Sequence, residues 1–303
     1  MSRRWRDVPT AAAMLAPAAV VLGVFVLYPL GRAVWMGQQR CNTTGTSCST
    51  SDRSWLQYVD VFRSDEFQHS LGVTIKFVLL TVPVGLALGL GLAVLADRAI
   101  RGIGLFRTIF SSTVASSVAV SSLMWLFLLQ PSIGVFSNIG WIGDLFPVVK
   151  SPGLLQDKGT ALGSVAVSSI WANLGFSFII VTAGMQSIPR DLYESAFVDG
   201  AGGIRRFTNV TLPLLSPTLL FLSVVLISRA FQAYGEIDLL TSGGPSRTDS
   251  TTTVTYLIYG SSSVIRRQPG LQATSAVLLF IVLLVLSLVQ FRGFERRVHY
   301  GGG

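Results

Sequence analysis

Ser169, Asn173, Phe176 and Ser177 lie in one long apolar stretch at the spacing i, i+4, i+7, i+8, which sets them on one helical face. A second set, Ser228, Arg229 and Gln232, with Glu236 one turn beyond, falls in another apolar stretch, and a third stretch carries Ser116, Ser117, Ser121, Ser122 and Trp125. Hydroxyl, amide and guanidinium groups are costly against lipid, so they belong in a bundle interior or a wet cavity. There they either contact a polar solute or hold helices together. Each serine alone reads first as packing glue, whereas Asn173 and Arg229 divide evenly between the two roles. The candidates for lining such a cavity are Ser122, Trp125, Ser169, Asn173, Phe176, Ser228, Arg229 and Gln232. Arg229 also has a structural reading, an ion pair with Glu236, which a continuous helix would place seven residues on and on the same face.

Other chemistries find little support. The two histidines, His69 and His299, sit at opposite ends of the chain, and two cysteines add too few ligands for a Cys/His zinc site, so no metal site is expected. The spanning stretches hold no paired carboxylates or histidines of the kind an integral-membrane enzyme acting on lipid-linked substrates would need. No G-x-x-x-x-G-K-[ST] phosphate loop occurs, and none of Lys76, Lys150 and Lys158 follows a glycine, so the chain has no nucleotide-binding motif of its own. A net charge of +8 and a pI near 10.0 would suggest nucleic acid in a soluble protein, but no Lys/Arg run of that type is present and no nucleic-acid partner is expected. Cys41 and Cys48 bracket a short Gly-containing loop that either closes as a disulfide or carries two unpaired thiols.

The elements that position these residues are membrane spans. Half the residues are hydrophobic, 13% are charged and the mean hydropathy is +0.59, against about 25% charged in a soluble protein. A bilayer core needs roughly 20 apolar residues per helix. Six stretches qualify, near 11–35, 71–95, 106–129, 161–185, 214–234 and 271–291. None alternates polar and apolar residues in the manner of a β-barrel strand. The basic start, Ser2 to Arg6, resembles a signal-peptide n-region, but the apolar run after it is too long for one. A cytoplasmic N-terminus puts 12 Lys/Arg residues in short cytoplasmic segments against 8 diluted over longer outer loops, so both termini are expected inside. Residues 54–69, with Trp55, Tyr58, Phe62 and Phe67 among charges, read as a segment on the membrane surface.

Between the fourth and fifth stretches, residues 189–203 read as a short helix: Pro189 suits its first position, Asp191 and Glu194 its positive end, and glycines stop it. Small residues beside a carboxylate and exposed apolar side chains offer a surface for docking into another protein, or form a plain amphipathic connector. Glu194-Ser195-Ala196, Asp199-Gly200-Ala201 and Leu212-Pro213 together resemble the EAA loop of permease subunits in binding-protein-dependent ABC importers, with Ser195 in place of Ala. Leu240-Thr241-Ser242-Gly243-Gly244-Pro245 and the threonines from Thr248 to Thr253 are similar to a second feature of that family, and the resemblance covers the chain from Leu15 to Arg292.

This resemblance implies an all-α, six-helix, N-in/C-in permease in the bacterial inner or plasma membrane, of the carbohydrate and glycerol-phosphate branch. It implies a cytoplasmic N-terminus (1–10), a transmembrane domain (11–292) with outer loops 37–69 and 241–270 and a coupling loop 187–212, and a tail (293–303). Asp191, Tyr193, Glu194, Ser195, Ala196, Asp199 and Gly200 would engage an ATPase. The implied partners are a second homologous permease, two copies of that ATPase, which alone would bind ATP and Mg, an extracellular solute-binding protein and the lipid bilayer. The implied solute is glycerol 3-phosphate or a glycerophosphodiester; a disaccharide is the alternative within the class, and a membrane enzyme the alternative outside it. A structural or signalling role leaves the acidic, Gly-terminated helix unexplained.

Overall fold

The computed structural model describes residues 8–41, 48–49, 55–97, 102–135, 153–245, 249–260, 265 and 268–295. The chain opens with α1 (Val8–Leu22), a π-helical stretch (Gly23–Leu27) and α2 (Tyr28–Met36). Over Ala12–Met36 the apolar window is wholly unburied by the rest of the chain. Only its end is tied down: Thr274 Oγ1 donates to the carbonyl of Gly37 at 2.8 Å.

Two residues each of β1 (Arg40–Cys41) and β2 (Cys48–Ser49) pair antiparallel. Then α3 (Leu56–Arg63) and α4 (Asp65–Ala96) follow, hinged at Ser64. Its Oγ accepts the Phe67 amide at 3.3 Å, and Asp65 and Glu66 occupy the positive end. This capping starts α4 six residues before the expected start of the second span, so residues 65–69 belong to that helix and α3 alone forms a separate surface element.

The third span, expected to run unbroken from Phe106 to Leu129, is interrupted. After α5 (Ile103–Ser112) and a 3-10 turn (Thr113–Ala115), Ser116 and Ser117 are extended and α6 (Val118–Leu129) departs at 106°. Neither Pro nor Gly causes this. Ser117 instead caps a new helix, its Oγ accepting the Val120 amide at 3.2 Å.

α7 (Ala161–Gln186) is unbroken and long and apolar enough to cross a membrane. It is followed by α8 (Arg190–Val198), α9 (Gly203–Arg206), a π stretch (Phe207–Thr211), α10 (Leu212–Leu214) and α11 (Ser216–Phe231). The expected fifth span bends by 65° around Leu215, between Pro213 and Pro217, where the proline rings interrupt the hydrogen-bond ladder. The short helices α12 (Gly235–Leu240) and α13 (Val254–Tyr259) precede α14 (Pro269–Glu295). Among the described residues, four helices are long and apolar enough to cross a membrane, or up to six if each bent pair is one span.

Small residues let these helices meet, as lipid-embedded packing requires. A Cβ on Gly89 would meet Ser177 at 2.7 Å, one on Gly175 would run into the α5–α6 break at the Phe110 carbonyl and Val114 amide, and one on Gly184 would strike Thr218 and Leu215. Phe77, Val165, Phe178, Val181, Leu215 and Leu222 fill the core between α4, α7 and α11.

The Leu240–Pro245 segment and the threonines after it explain how a broken backbone persists at depth. Thr255 Oγ1 donates to the Phe231 carbonyl (2.6 Å), Thr253 Oγ1 to that of Ala233 (3.3 Å) and Thr252 Oγ1 to that of Gly243 (2.8 Å), while Thr74 Oγ1 accepts the Val254 amide (3.0 Å). Carbonyls left open where α11 stops are thereby satisfied by side chains instead of water. Gly243 and Gly244 adopt φ of +90° and +141°, which β-carbon sterics disfavour for other residues.

Candidate functional site

The break between α5 and α6, the middle of α7 and the end of α11 enclose a cavity of about 150 Å³ lined by Ser121, Ser122, Ser168, Ser169, Asn173, Phe176, Arg229 and Glu236, among others. Arg229 is held on two sides. Its Nη1 donates to Asn173 Oδ1 at 2.8 Å, and its guanidinium carbon lies 4.2 Å from the Phe176 ring centroid. Asn173 is oriented in turn by α7, because its Nδ2 donates to the Ser169 carbonyl at 2.9 Å. With one N–H engaged by Asn173, Arg229 keeps four more donors, and the side chain is exposed.

Glu236 also reaches the cavity, accepting from Ser169 Oγ at 3.3 Å. The seven-residue argument for an Arg229–Glu236 pair fails here, since α11 ends at Phe231 and Glu236 sits on the separate α12. Each charged group instead has its own polar partner on α7, Asn173 for the cation and Ser169 for the carboxylate.

Of the eight expected path residues, Ser122, Ser169, Asn173, Phe176 and Arg229 converge on the cavity. Trp125, Ser228 and Gln232 do not line it. The bend before α6 turns Trp125 onto the main core, and Gln232 is the exposed C-terminal cap of α11. Ser116 and Ser121, recognisable as polar residues in an apolar run, do line the cavity; Val114, Val118, Ala172 and Ser168 also do, and sequence spacing alone does not pick them out. The doublet Ser168–Ser169 is the available signal for the last of these.

α8 stands apart from this cavity as an exposed helix. Pro189 is its N-terminal cap, with φ −57° and ψ 135°, and Arg190 takes the first helical position expected for Pro189. The stop is a Schellman motif: the Ala201 amide returns to the Ala196 carbonyl at 2.9 Å, the Gly200 amide to that of Phe197 at 3.0 Å, and Gly200 has φ +73°. Phe197, Val198 and Ile204 are 68%, 84% and 84% exposed, and Asp191, Glu194, Ser195, Asp199 and Gly200 are exposed beside them. Ala196 is half-buried. Tyr193 anchors the inner side, its hydroxyl 3.1 Å from Thr211 Oγ1. Leu192, Phe197 and Val198 on α8 and Ile204 on α9 together leave an exposed apolar surface, on which the Arg206 guanidinium lies 5.7 Å from the Phe197 ring centroid.

In the β1–β2 ladder Cys41 stands directly opposite Cys48. Their side chains lie outside the described residues.

The sequence profile described as "Binding-protein-dependent transport system inner membrane component" matches residues 81–300. The chain is 34% identical over 290 residues to the sn-glycerol-3-phosphate transport system permease protein UgpA of Agrobacterium fabrum, covering 95% of each protein. The proteins of the same name from Brucella abortus (33% over 294 residues) and Yersinia pseudotuberculosis (32% over 292 residues) are similar over 95% of each as well. Among solved structures, a bacterial alginate ABC transporter in complex with an alginate pentasaccharide-bound periplasmic protein superposes with a TM-score of 0.78 at 22% identity, covering 97% of this chain and 98% of that one. A match across most of the chain by profile, sequence and fold leaves one assignment: the chain belongs to the inner membrane components of binding-protein-dependent transport systems, as a multi-pass bacterial cell-membrane permease subunit of an ABC transporter and not an enzyme.

Proposed function

We propose that this permease contributes half of the translocation pathway of an ATP-driven importer whose solute is glycerol 3-phosphate, and that α8 is its joint to the ATPase. The solute follows the relatives that carry glycerol 3-phosphate in their names. The observation that carries it chemically is Arg229, presented to the cavity by Asn173 and Phe176 with most of its donors unused. A guanidinium fork matches phosphate oxygens through parallel hydrogen bonds, whereas a disaccharide calls for no embedded cation.

In this reading each bent pair counts as one span, giving six, with both termini cytoplasmic in keeping with the 12-to-8 distribution of basic residues. A second homologous permease completes the pathway, and two copies of an ATPase bind ATP and Mg beneath it. An extracellular binding protein delivers the solute. Asp191, Glu194 and Ser195 and the exposed Phe197 and Val198 of α8 meet the ATPase, and nucleotide-driven closure rocks the attached helices between inward and outward access.

The test is uptake of radiolabelled glycerol 3-phosphate by cells whose sole importer is the complete complex. Accumulation that depends on this chain and is not competed by maltose or trehalose supports the reading; accumulation of a disaccharide in its place overturns the solute assignment.

A further inference from the structure

The break in the third span turns the start of a helix toward the cavity. Ser116, Val118, Ser121 and Ser122 all line the cavity, so the first turn of the 12-residue α6 opens onto it. Ser117 Oγ takes the Val120 amide, and the Ser121 amide returns to the Ser117 carbonyl at 3.0 Å. The amides of Val118 and Ala119 lie ahead of the intrahelical ladder, at the positive end of the helix dipole.

A second observation is independent of that geometry. Ser121 and Ser122 are 2% and 1% exposed, and neither hydroxyl has a hydrogen-bond partner. Some buried hydroxyls return to a carbonyl one turn back, as Thr74 does to Ser70, Thr81 to Phe77 and Ser177 to Asn173, while Thr182, Ser216 and Ser275 likewise lack a partner but do not line this cavity. Two adjacent serines that leave this bond unmade, in a cavity wall, are donors without an acceptor, and such groups are costly unless something supplies one.

We propose that the first turn of α6, with Ser121 and Ser122, forms an oxyanion cradle that receives the phosphate of a phosphomonoester solute together with Arg229. The proposal rests on the reading of this cavity as the path of a phosphate-bearing solute. A phosphate group only accepts at its anionic oxygens, and each of these elements can donate: two hydroxyls through their O–H, and helix-end amides and a guanidinium that have no acceptor of their own. The hydroxyls of the same solute need an acceptor, which Glu236 provides with the lone pairs that Ser169 leaves free. The cavity is thus polarised, with Arg229 and the α6 end for the phosphate and the Glu236 carboxylate for the polyol, an arrangement that favours one anionic group per solute and disfavours a second. A discontinuous span aiming its positive end at an anionic substrate near the bilayer midplane is a physically favourable way to compensate that charge.

Amide exchange and transport by the complete complex in lipid nanodiscs test this, with glycerol 3-phosphate, inorganic phosphate and glycerol as probes. Glycerol 3-phosphate and inorganic phosphate are expected to slow exchange at Val118 and Ala119 while glycerol does not. Ser121→Ala with Ser122→Ala is expected to lower glycerol 3-phosphate uptake by about tenfold or more, the loss of hydrogen bonds to a charged group. Unchanged exchange with both phosphates, or equal protection by glycerol, overturns the cradle, as does a double variant that assembles and transports at the wild-type rate. If the double variant does not assemble, the single variants and wild-type exchange decide by the same outcomes. If the wild-type complex takes up no glycerol 3-phosphate, the transport reading fails, and inorganic phosphate decides the cradle alone: protection at Val118 and Ala119 upholds it, and no protection overturns it.

Discussion

Arg229 separates solute binding from structural pairing most cleanly, because its contacts are few. Arg229→Ala removes one hydrogen bond to Asn173, at 2.8 Å, and one stack on Phe176, at 4.2 Å. Those two contacts together are worth about 1–3 kcal/mol of local order, which a membrane domain with this much core tolerates. The effect on solute is larger. Each hydrogen bond to a charged group contributes about 1.5–3 kcal/mol, so losing two from a bidentate phosphate clamp costs about 3–6 kcal/mol, a fall in uptake of roughly a hundredfold to ten-thousandfold. Arg229→Lys keeps the charge and loses the fork and the stack, so an intermediate loss of about tenfold to a hundredfold is expected. Glu236→Gln keeps an acceptor for Ser169 and is expected to cost less than either. The assay is initial uptake of glycerol 3-phosphate at saturating binding protein, with complex assembly measured in parallel. Wild-type transport by Arg229→Lys would refute the clamp. Equal losses in Arg229→Ala and Glu236→Gln with recovery in the double variant would show that the pair is structural.

At the end of α8, the proposed joint, Gly200→Val puts a β-branched residue at φ +73°, in a region that costs other residues about 1–2 kcal/mol, while no neighbour stands within 4 Å of its Cβ. Solute-stimulated ATP hydrolysis and uptake are expected to fall together while the spans stay folded, with Gly200→Asn retaining more than Gly200→Val because Asn tolerates that backbone; Glu194→Lys is expected to uncouple likewise, and wild-type coupling in both Gly200→Val and Glu194→Lys would show that α8 is not the joint. Cys41 and Cys48 are expected to form an outer disulfide, since directly opposed residues of an antiparallel pair have Cα atoms about 4.5–5.5 Å apart, inside the disulfide range. Labelling of both thiols on intact cells before reduction would reject the bond, and labelling only after the membrane is opened would reject the orientation too.

What the sequence makes legible follows from which physical signals are local. Hydrophobic length marks spans, so α7 begins and ends within a residue of expectation. The Asp199-Gly200-Ala201 run marks a helix stop because only a residue tolerant of positive φ closes a Schellman motif at low cost, and Gly200 does so. The 106° break at Ser116–Ser117 is illegible because hydropathy is blind to it: both flanks are apolar, no Pro or Gly intervenes, and a capping serine looks the same in sequence as a packing serine. That break displaces Trp125 from its expected place and conceals the faces that bring Val114 and Val118 to the cavity. The Arg229–Glu236 spacing misleads for the same reason, since an i, i+7 argument presumes a helix that in fact stops at Phe231. The threonines after Pro245 can be matched as a motif, but their task of capping the carbonyls of Phe231, Ala233 and Gly243 depends on contacts 9 to 24 residues away.

These breaks also place α8, the proposed joint, next to both walls of the cavity. α8 is bracketed by two elements: α7, which ends at Gln186, and the α9–α11 segment, to which Tyr193 is bonded through Thr211. The same two elements carry the two halves of the cavity's cation site, Asn173 and Phe176 on α7 and Arg229 on α11. Nearer α8 they are locked together at Gly184, whose missing side chain admits Thr218 and Leu215. A displacement of α8 would act on both helices that wall the cavity, and the bend at Leu215 lies beside their close approach at Gly184. Rigid packing at Gly184 gives the two helices a shared pivot, and relative rotation about it would change the separation of Arg229 from Asn173 with no new interaction at the cavity itself. On the proposed reading of α8 as the joint, coupling and solute release are two ends of one lever, with the Arg229–Asn173 hydrogen bond between α11 and α7 placed to hold the solute in one state and yield it in the next.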